Sequence, residues 1–408
     1  MEITGTRRPL AAPLLTWAAT RLLLLLLVLH LLPFPGPDVT TDVSVIYRHW
    51  YDILRTGTFP AHDVTWQYPP AAALPLLAPA LLPFLDYPSA FYLLAFAADL
   101  AVLTLLLDTA HRPGRGLRGV WVWTVGVPLL GPTVYARYDV MVTAVAVAAL
   151  LVGVRRPRAM GVLIGFGALL KVWPALLLAG VVRRRVWGAA AVTAAVVAGG
   201  FAAVMPGAFS FVTFQRERGT EVESLGALVF HVARRFGWYG EVLFHYGSLE
   251  FVGPGVKAVS TASLFLTSVA FGWLFLWRLL ARRFSLHTPA DAAFTAVLLF
   301  TLSSRVISPQ YLLWLLGTGA VCLCFRGSRM AVPVVLVVVA SAVTVLEFPV
   351  HFDDVVRSTP LGVALILVRN GLLLAAAVTA CARLWRSTAP RPKPLPVPAQ
   401  PTRAGVSS

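Results

Sequence analysis

Charge is scarce in this sequence. Of its 408 residues only 13% are Asp, Glu, Lys or Arg, where a soluble globular chain carries about a quarter. Hydrophobic residues make up 58%, and the mean hydropathy is +0.77. These figures exclude a soluble enzyme, a disordered chain and a secreted disulfide scaffold. Cysteine is scarce too. Cys322, Cys324 and Cys381 each sit inside an apolar segment and form no CxxC, a poor basis for a disulfide framework. There is no HExxH, and the eight histidines are scattered, so no metal site is read.

Acids are scarcer than bases, 18 against 34, giving a net charge of +16. On a soluble domain that excess would suggest nucleic acid. Here the basic clusters flank apolar runs: Arg7-Arg8, Arg112/Arg115/Arg118, Arg155-Arg156-Pro157-Arg158, Arg183-Arg184-Arg185, Arg282-Arg283, Arg326/Arg329 and Arg383/Arg386. That is the placement of cytoplasmic anchors under the positive-inside rule, and no nucleic-acid partner is read.

What the chain has in abundance is apolar runs, recurring from Leu14 to Ala382. A transmembrane helix consumes about 20 such residues, so the fold class is all-α: a polytopic integral membrane protein of about 10–12 transmembrane helices. Arg7-Arg8 ahead of the apolar run 22–29 mimics a signal peptide, but no A-x-A site follows, and an uncleaved first helix is expected. Residues 1–386 are read as one transmembrane domain, and the Pro-rich stretch 387–408 as a disordered cytosolic tail. Two segments resist simple crossing. The run 71–85 is interrupted by Pro75, Pro79 and Pro83, and 159–182 has basic clusters at both ends. Re-entrant hairpins, the second broken at Lys171-Val-Trp-Pro174, keep every strong basic cluster inside. Backbone broken at membrane depth must then be covered by protein. Gly161, Gly165 and Gly167 read as close helix packing rather than as a dinucleotide fingerprint.

This topology leaves two large outer loops, 33–70 and 206–256, and concentrates the acids there. Asp38, Asp42, Asp52, Asp63 and Asp86 belong to the first outer region; Glu217, Glu221, Glu223, Glu241 and Glu250 to the second; Asp139 starts a helix from the outer side. In the first loop Ile46, Trp50, Ile53 and Leu54 recur at helical spacing, so 43–55 reads as a short helix lying on the membrane, with Asp42 able to cap it and Gly57 ending it. Thr220-Glu221-Val222-Glu223 has capping-box spacing, and the stretch through Arg234-Arg235 reads as an interfacial helix. Asp99 is mid-helix and reads as a buried polar tie. Lys171 reads as structural or lipid-contacting, because a hairpin entering from inside need not reach an outer site.

The first outer loop, with Asp42, Tyr47, Trp50, Leu54, Gly57, Pro60, Asp63 and the closing Tyr68-Pro69-Pro70, resembles the polyprenyl-phosphate-dependent glycosyltransferases of the C superfamily. The branch it is most similar to is family 87, α-mannosyltransferase-like proteins of actinobacteria. Further similarity lies in Tyr135-Ala-Arg137-Tyr-Asp139, Lys171-Val-Trp-Pro174, Arg218-Gly219, Gly247-Ser-Leu-Glu250 and Ser304-Arg305-Val-Ile-Ser308-Pro309-Gln310-Tyr311. The order of these motifs, over roughly residues 40 to 315, is the specific signal. At Glu221 the sequence departs from the family, where Gln is frequent.

The resemblance implies a multi-pass protein of a bacterial plasma membrane, with its site on the extracytoplasmic side. There it moves a sugar, mannose in the leading case, from a polyprenyl-phosphate donor to a glycolipid or glycan hydroxyl. Its partners are then the lipid-linked donor, that acceptor and membrane lipid, with no cofactor. Such a reaction needs a base for the acceptor proton, groups that stabilise the departing phosphate, and an apolar groove. Asp42, matching the first-loop acid, is the candidate base of an inverting single displacement. The substrate-binding candidates are Asp63, Tyr68, Arg137, Asp139, Glu223, Arg305, Gln310 and Tyr311. Among them Arg305 is the choice for phosphate because it breaks the inside rule. Arg137 shares that anomaly, with Asp139 nearby as a local ion-pair partner. A transporter or lipid flippase is the alternative reading, and a non-catalytic membrane scaffold a further one.

Overall fold

The computed structural model describes residues 10–213 and 218–389. Arg7-Arg8, Glu217 and the tail from 390 onward lie outside the described residues. Among the described residues six helices are long and apolar enough to cross a membrane: Ala11–Val28, Tyr87–Ala110, Arg184–Val204, Val256–Leu280, Ala331–Val350 and Pro360–Thr388. Five shorter apolar helices accompany them: Pro70–Leu81, Asp139–Val152, Pro157–Leu170, Thr288–Ser303 and Tyr311–Cys324. The chain is an all-α, multi-pass membrane protein.

Burial differs sharply between helices. A 14-residue helix such as Tyr311–Cys324 is about 21 Å long, short of a hydrocarbon core of about 30 Å. Its terminal N–H and C=O groups therefore need protein around them. Every residue of that helix after Tyr311 is buried. The long Arg184–Val204 and Val256–Leu280 helices are buried over only 11% and 22% of their apolar windows, since lipid suits their surfaces.

Polar ties fix the crossings. Asp99 accepts from Arg21 Nε at 2.8 Å, Trp17 Nε1 at 3.0 Å, Trp123 Nε1 at 2.7 Å and Tyr135 OH at 2.7 Å, and is fully buried. It is the buried tie its mid-helix position suggested. The second proline-broken segment is interrupted where the sequence placed the tip of its hairpin: the Pro157–Leu170 helix stops at Lys171, whose backbone is extended, and a tight turn of helix follows over Trp173–Leu178. Glycine lets this hairpin sit close to its neighbour. A Cβ on Gly161 would lie 2.3 Å from the Val186 carbonyl oxygen, and one on Gly165 2.3 Å from that of Ala190.

The outer loops differ from their expected form. A wide helical turn over Asp42–Tyr47 runs into the Arg48–Leu54 helix, and Gly57 at φ 83° follows its end. Asp42 does not cap this helix. It lies inside the first turn, where no side-chain cap bond forms, and its carboxylate turns away to another segment. In the second loop the expected interfacial helix shrinks to Leu228–Ala233. The rest builds a three-stranded antiparallel sheet in the order β1 (Thr220–Glu221), β3 (Ser248–Val252), β2 (Glu241–His245). The β2–β3 hairpin turns at Tyr246-Gly247, both at positive φ (47° and 79°), as a two-residue hairpin turn requires.

Close glycine packing predicts a contrast. Gly165→Ala should destabilise the protein by about 1–3 kcal/mol through overpacking. Gly199→Ala, whose added Cβ meets nothing within 4 Å, should be neutral or stabilising by up to about 1 kcal/mol. Thermal unfolding in detergent of the two variants checks this; equal effects would remove the packing argument.

Candidate functional site

The loops and the hairpin tip enclose a cavity of about 770 Å³. That is the size of a typical small-molecule site. Seven residues singled out in the sequence line it: Asp42, Tyr68, Arg137, Glu223, Arg305, Gln310 and Tyr311. They come from several separate stretches of chain.

Asp42 and Arg137 form an ion pair, each about one fifth exposed. The local pair of Arg137 with Asp139 is not what forms. Residues two apart at a helix start point in different directions, and Asp139 is fully buried. Its Oδ1 accepts from Lys171 Nζ at 2.7 Å and from Trp314 Nε1 at 2.6 Å. Asp139 therefore does not line the cavity; it reaches it through Lys171.

Lys171 is the residue whose placement the sequence misjudged. The hairpin helix is 14 residues, about 21 Å, and lifts its tip into the cavity wall. There the ammonium lies among four aromatic rings, Tyr68, Tyr138, Tyr311 and Trp314, with centroids 5.1–5.7 Å away. Tyr311 stacks on Trp314 at 4.0 Å and Trp314 on Trp173 at 5.2 Å, which makes the cage rigid.

Asp63 is also absent from the lining. Its Oδ2 accepts from Trp50 Nε1 at 2.7 Å, and its Oδ1 from Thr65 N at 2.8 Å and Thr65 Oγ1 at 2.5 Å. Partial burial opposes its ionisation, but the bonds from Thr65 and Trp50 outweigh it and hold the carboxyl below its usual range. Asp63 is a turn residue that aims Trp50 at the cavity.

Arg305 follows the end of the Thr288–Ser303 helix and donates to the Arg218 carbonyl at 2.5 Å and Ser260 Oγ at 3.4 Å. Arg218, not singled out as a candidate, also lines the cavity. It donates to Ser248 Oγ at 3.0 Å, with its Nε 3.8 Å from Glu250. Gln310 Oε1 is buried with no donor among the described residues.

Glu223 does not act as a helix cap. It sits just beyond β1 in the wall, 4% exposed, beside Glu221, which also lines the cavity and accepts from Ile307 N at 3.0 Å. The chain turns over Val222-Glu223 directly after β1, with Ser224 N donating to the Glu221 carbonyl at 3.0 Å, and both glutamates line the cavity.

The apolar side of the cavity comes from Phe211, Val212, Leu264 and Phe300. A carboxylate, several cations and an apolar wall thus share one space. A profile of glycosyltransferase family 87 matches residues 66–309, more than half of the chain. The chain belongs to glycosyltransferase family 87. No curated protein matches it. As a family 87 member it is a glycosyltransferase of the membrane. The matched region holds Tyr68, Arg137, Asp139, Lys171, Arg218, Glu221, Glu223 and Arg305; Asp42 and Asp63 precede it, and Gln310 and Tyr311 follow it.

In this family 87 chain the Lys171–Asp139 pair predicts a coupled stability effect. Removing one charge strands its partner, which costs about 3–5 kcal/mol. Lys171→Met and Asp139→Asn should each lower the unfolding temperature, and the double variant should recover part of the loss, with a coupling of about 0.5–3 kcal/mol. Additive losses would show that the two do not act as a pair.

Proposed function

We propose that this glycosyltransferase moves a sugar, mannose in the first instance, from a polyprenyl phosphate to a hydroxyl of a glycolipid or glycan. In this reading it works at the extracytoplasmic face of a bacterial plasma membrane. The observation that carries the reading is the cavity's composition: Asp42 stands beside Arg137, and Lys171, Arg218, Arg305 and apolar side chains line the same space. A water-soluble sugar nucleotide would gain nothing from the apolar part; a lipid-linked sugar phosphate uses both.

The chemistry is a single displacement with inversion. The acceptor oxygen attacks the anomeric carbon, the bond from that carbon to the phosphate oxygen breaks, and the electron pair leaves with the lipid phosphate. Asp42 takes the acceptor proton. Arg137 pairs with the Asp42 carboxylate and orients it before the acceptor arrives. The lipid phosphate gains a negative charge as it departs, and Arg305 with Lys171 stabilises it. Gln310, with an oxygen lacking a donor among the described residues, and Tyr311 are placed to meet sugar hydroxyls. Asp63 and Asp139 contribute indirectly, through Trp50 and Lys171.

The test uses the full chain in vesicles with polyprenyl-phosphate mannose and a glycolipid acceptor. Asp42→Asn should lower transfer by about 10²–10⁴-fold at a temperature where the variant is still folded, although stranding Arg137 lowers its unfolding temperature. Full activity in that variant would remove Asp42 as base. Transfer from other polyprenyl-phosphate sugars but not from the mannosyl donor would correct the sugar alone.

A further inference from the structure

Beside Asp42 the cavity has a second acidic feature, and its geometry makes a demand of its own. Glu221 and Glu223 line the wall and are 2% and 4% exposed. Behind them lies Glu347, fully buried, from the end of the Ala331–Val350 segment. Glu223 faces both Glu221 and Glu347, and Arg369 ties it to Glu347 by donating to the Glu223 carbonyl and to Glu347 Oε1, each at 2.7 Å. Three buried carboxyls gathered round one guanidinium cannot all ionise without leaving buried charge uncompensated. Glu223 is the member that faces the other two.

The surrounding groups do not supply enough positive charge to ionise all three. Arg369, fully buried, donates to Glu347 Oε1 at 2.7 Å and to the Glu223 carbonyl at 2.7 Å. Asn370 donates to the Glu223 and Ser224 carbonyls, not to carboxylates. Arg218 faces Glu221 but lies nearest Glu250. Arg137 feels Glu223 but is paired with Asp42. Tyr311 faces Glu221 across the cavity, and His231 is bonded to the carbonyl of Val222 between them. Among the described residues, no donor reaches Glu223 Oε1 or Glu347 Oε2.

We propose that Glu223 carries a proton at neutral pH and is a positioning residue of the transfer site, keeping the acid wall of the cavity from repelling an anionic donor. The proposal rests on the reading that the donor is an anionic lipid-linked sugar phosphate. An ionised Glu221–Glu223 pair would place two negative charges in the wall that must receive that phosphate. With the proton in place the pair carries at most one, and the attraction of Arg218 and Arg305 in the same wall for the incoming anion is offset less. Burial raises both carboxyls, Glu221 to about 7 and Glu223 well above its usual range, in keeping with this arrangement.

The sign of the pH effect follows. Groups whose folded pKa is raised bind more protons in the folded state, so their loss weakens both fold and site as pH rises. In the wild type the KM for the donor should rise about tenfold or more between roughly pH 6.5 and 9, with kcat changing less than about threefold. Glu223→Gln keeps an uncharged hydrogen-bond donor at the same place. It should flatten that profile and hold kcat/KM within about threefold of the wild-type value at about pH 6.5, whereas Glu223→Ala loses about tenfold or more. Infrared difference spectra of the purified full chain, wild type minus Glu223→Gln at about pH 7, should show a protonated-carboxyl band lost in the variant.

A missing band, or a Glu223→Gln variant as impaired as Glu223→Ala, overturns the proposal. The infrared measurement needs no substrate. If the band is present but no polyprenyl-phosphate sugar supports transfer, the donor assignment has failed and the positioning role goes with it, while the shared proton itself stands.

Discussion

An ammonium placed among aromatic rings needs a carboxylate, and Lys171 finds one in Asp139 at 2.7 Å. The pair joins the tip of a hairpin, the start of the Asp139–Val152 helix and, through Trp314, the buried Tyr311–Cys324 helix. These three elements are too short to cross a bilayer alone, so their ends must be satisfied inside the protein. Tyr138 of the ring cage does this at one point, its OH donating to the Leu170 carbonyl at 3.3 Å. Lys171, Tyr68 and Tyr311 all line the cavity.

The same requirement explains the division of charges. Four cation–carboxylate pairs lie in or around the cavity: Arg137 with Asp42, Lys171 with Asp139, Arg218 with Glu250, and Arg369 with Glu347. In each pair the two partners come from different segments. Pairing across segments is how a chain with little charge specifies which loops meet, since an unpaired buried charge is far costlier than an unmet apolar contact. The site is thereby built from the interactions that hold the loops in place, and its electrostatics are not added to a finished fold.

Much of this was legible residue by residue, and the pairings were not. Apolar runs and flanking arginines announced the spans, because lipid imposes length and polarity directly on sequence. The break at Lys171 was visible in Pro174 and in basic clusters on both sides of the hairpin. Asp42 and Arg137 each stood out, one by motif and one by lying on the wrong side for a base. Their contact with each other was hidden, because a sequence shows which charges are near in chain and not which are near in space. Asp139 was therefore matched to its neighbour two residues away and not to a lysine 32 residues on. The hairpin at Tyr246-Gly247 left a trace in the alternation of Val242, Phe244, Leu249 and Phe251, which a helix-dominated reading passed over.

The packing of the helices bears on how a lipid-linked substrate would enter. The least buried of the long helices are Arg184–Val204 and Val256–Leu280. The apolar wall of the cavity is drawn from the second of these, at Leu264 and Thr267, and from Phe211 and Val212 just beyond the first. The deeply buried Tyr311–Cys324 helix stands on the other side, behind Tyr311 and Lys171. Much of the apolar lining thus comes from or beside the thinly covered helices, where Arg305 also reaches Ser260. On the proposed reading, the donor keeps its hydrocarbon tail against the thinly packed helices while its phosphate reaches the arginines of the cavity. On the proposed reading, the apolar segment of the donor then contributes affinity without having to leave lipid. Discrimination falls to the polar wall, where the Glu221–Glu223 pair, Gln310 and Tyr311 face the head group.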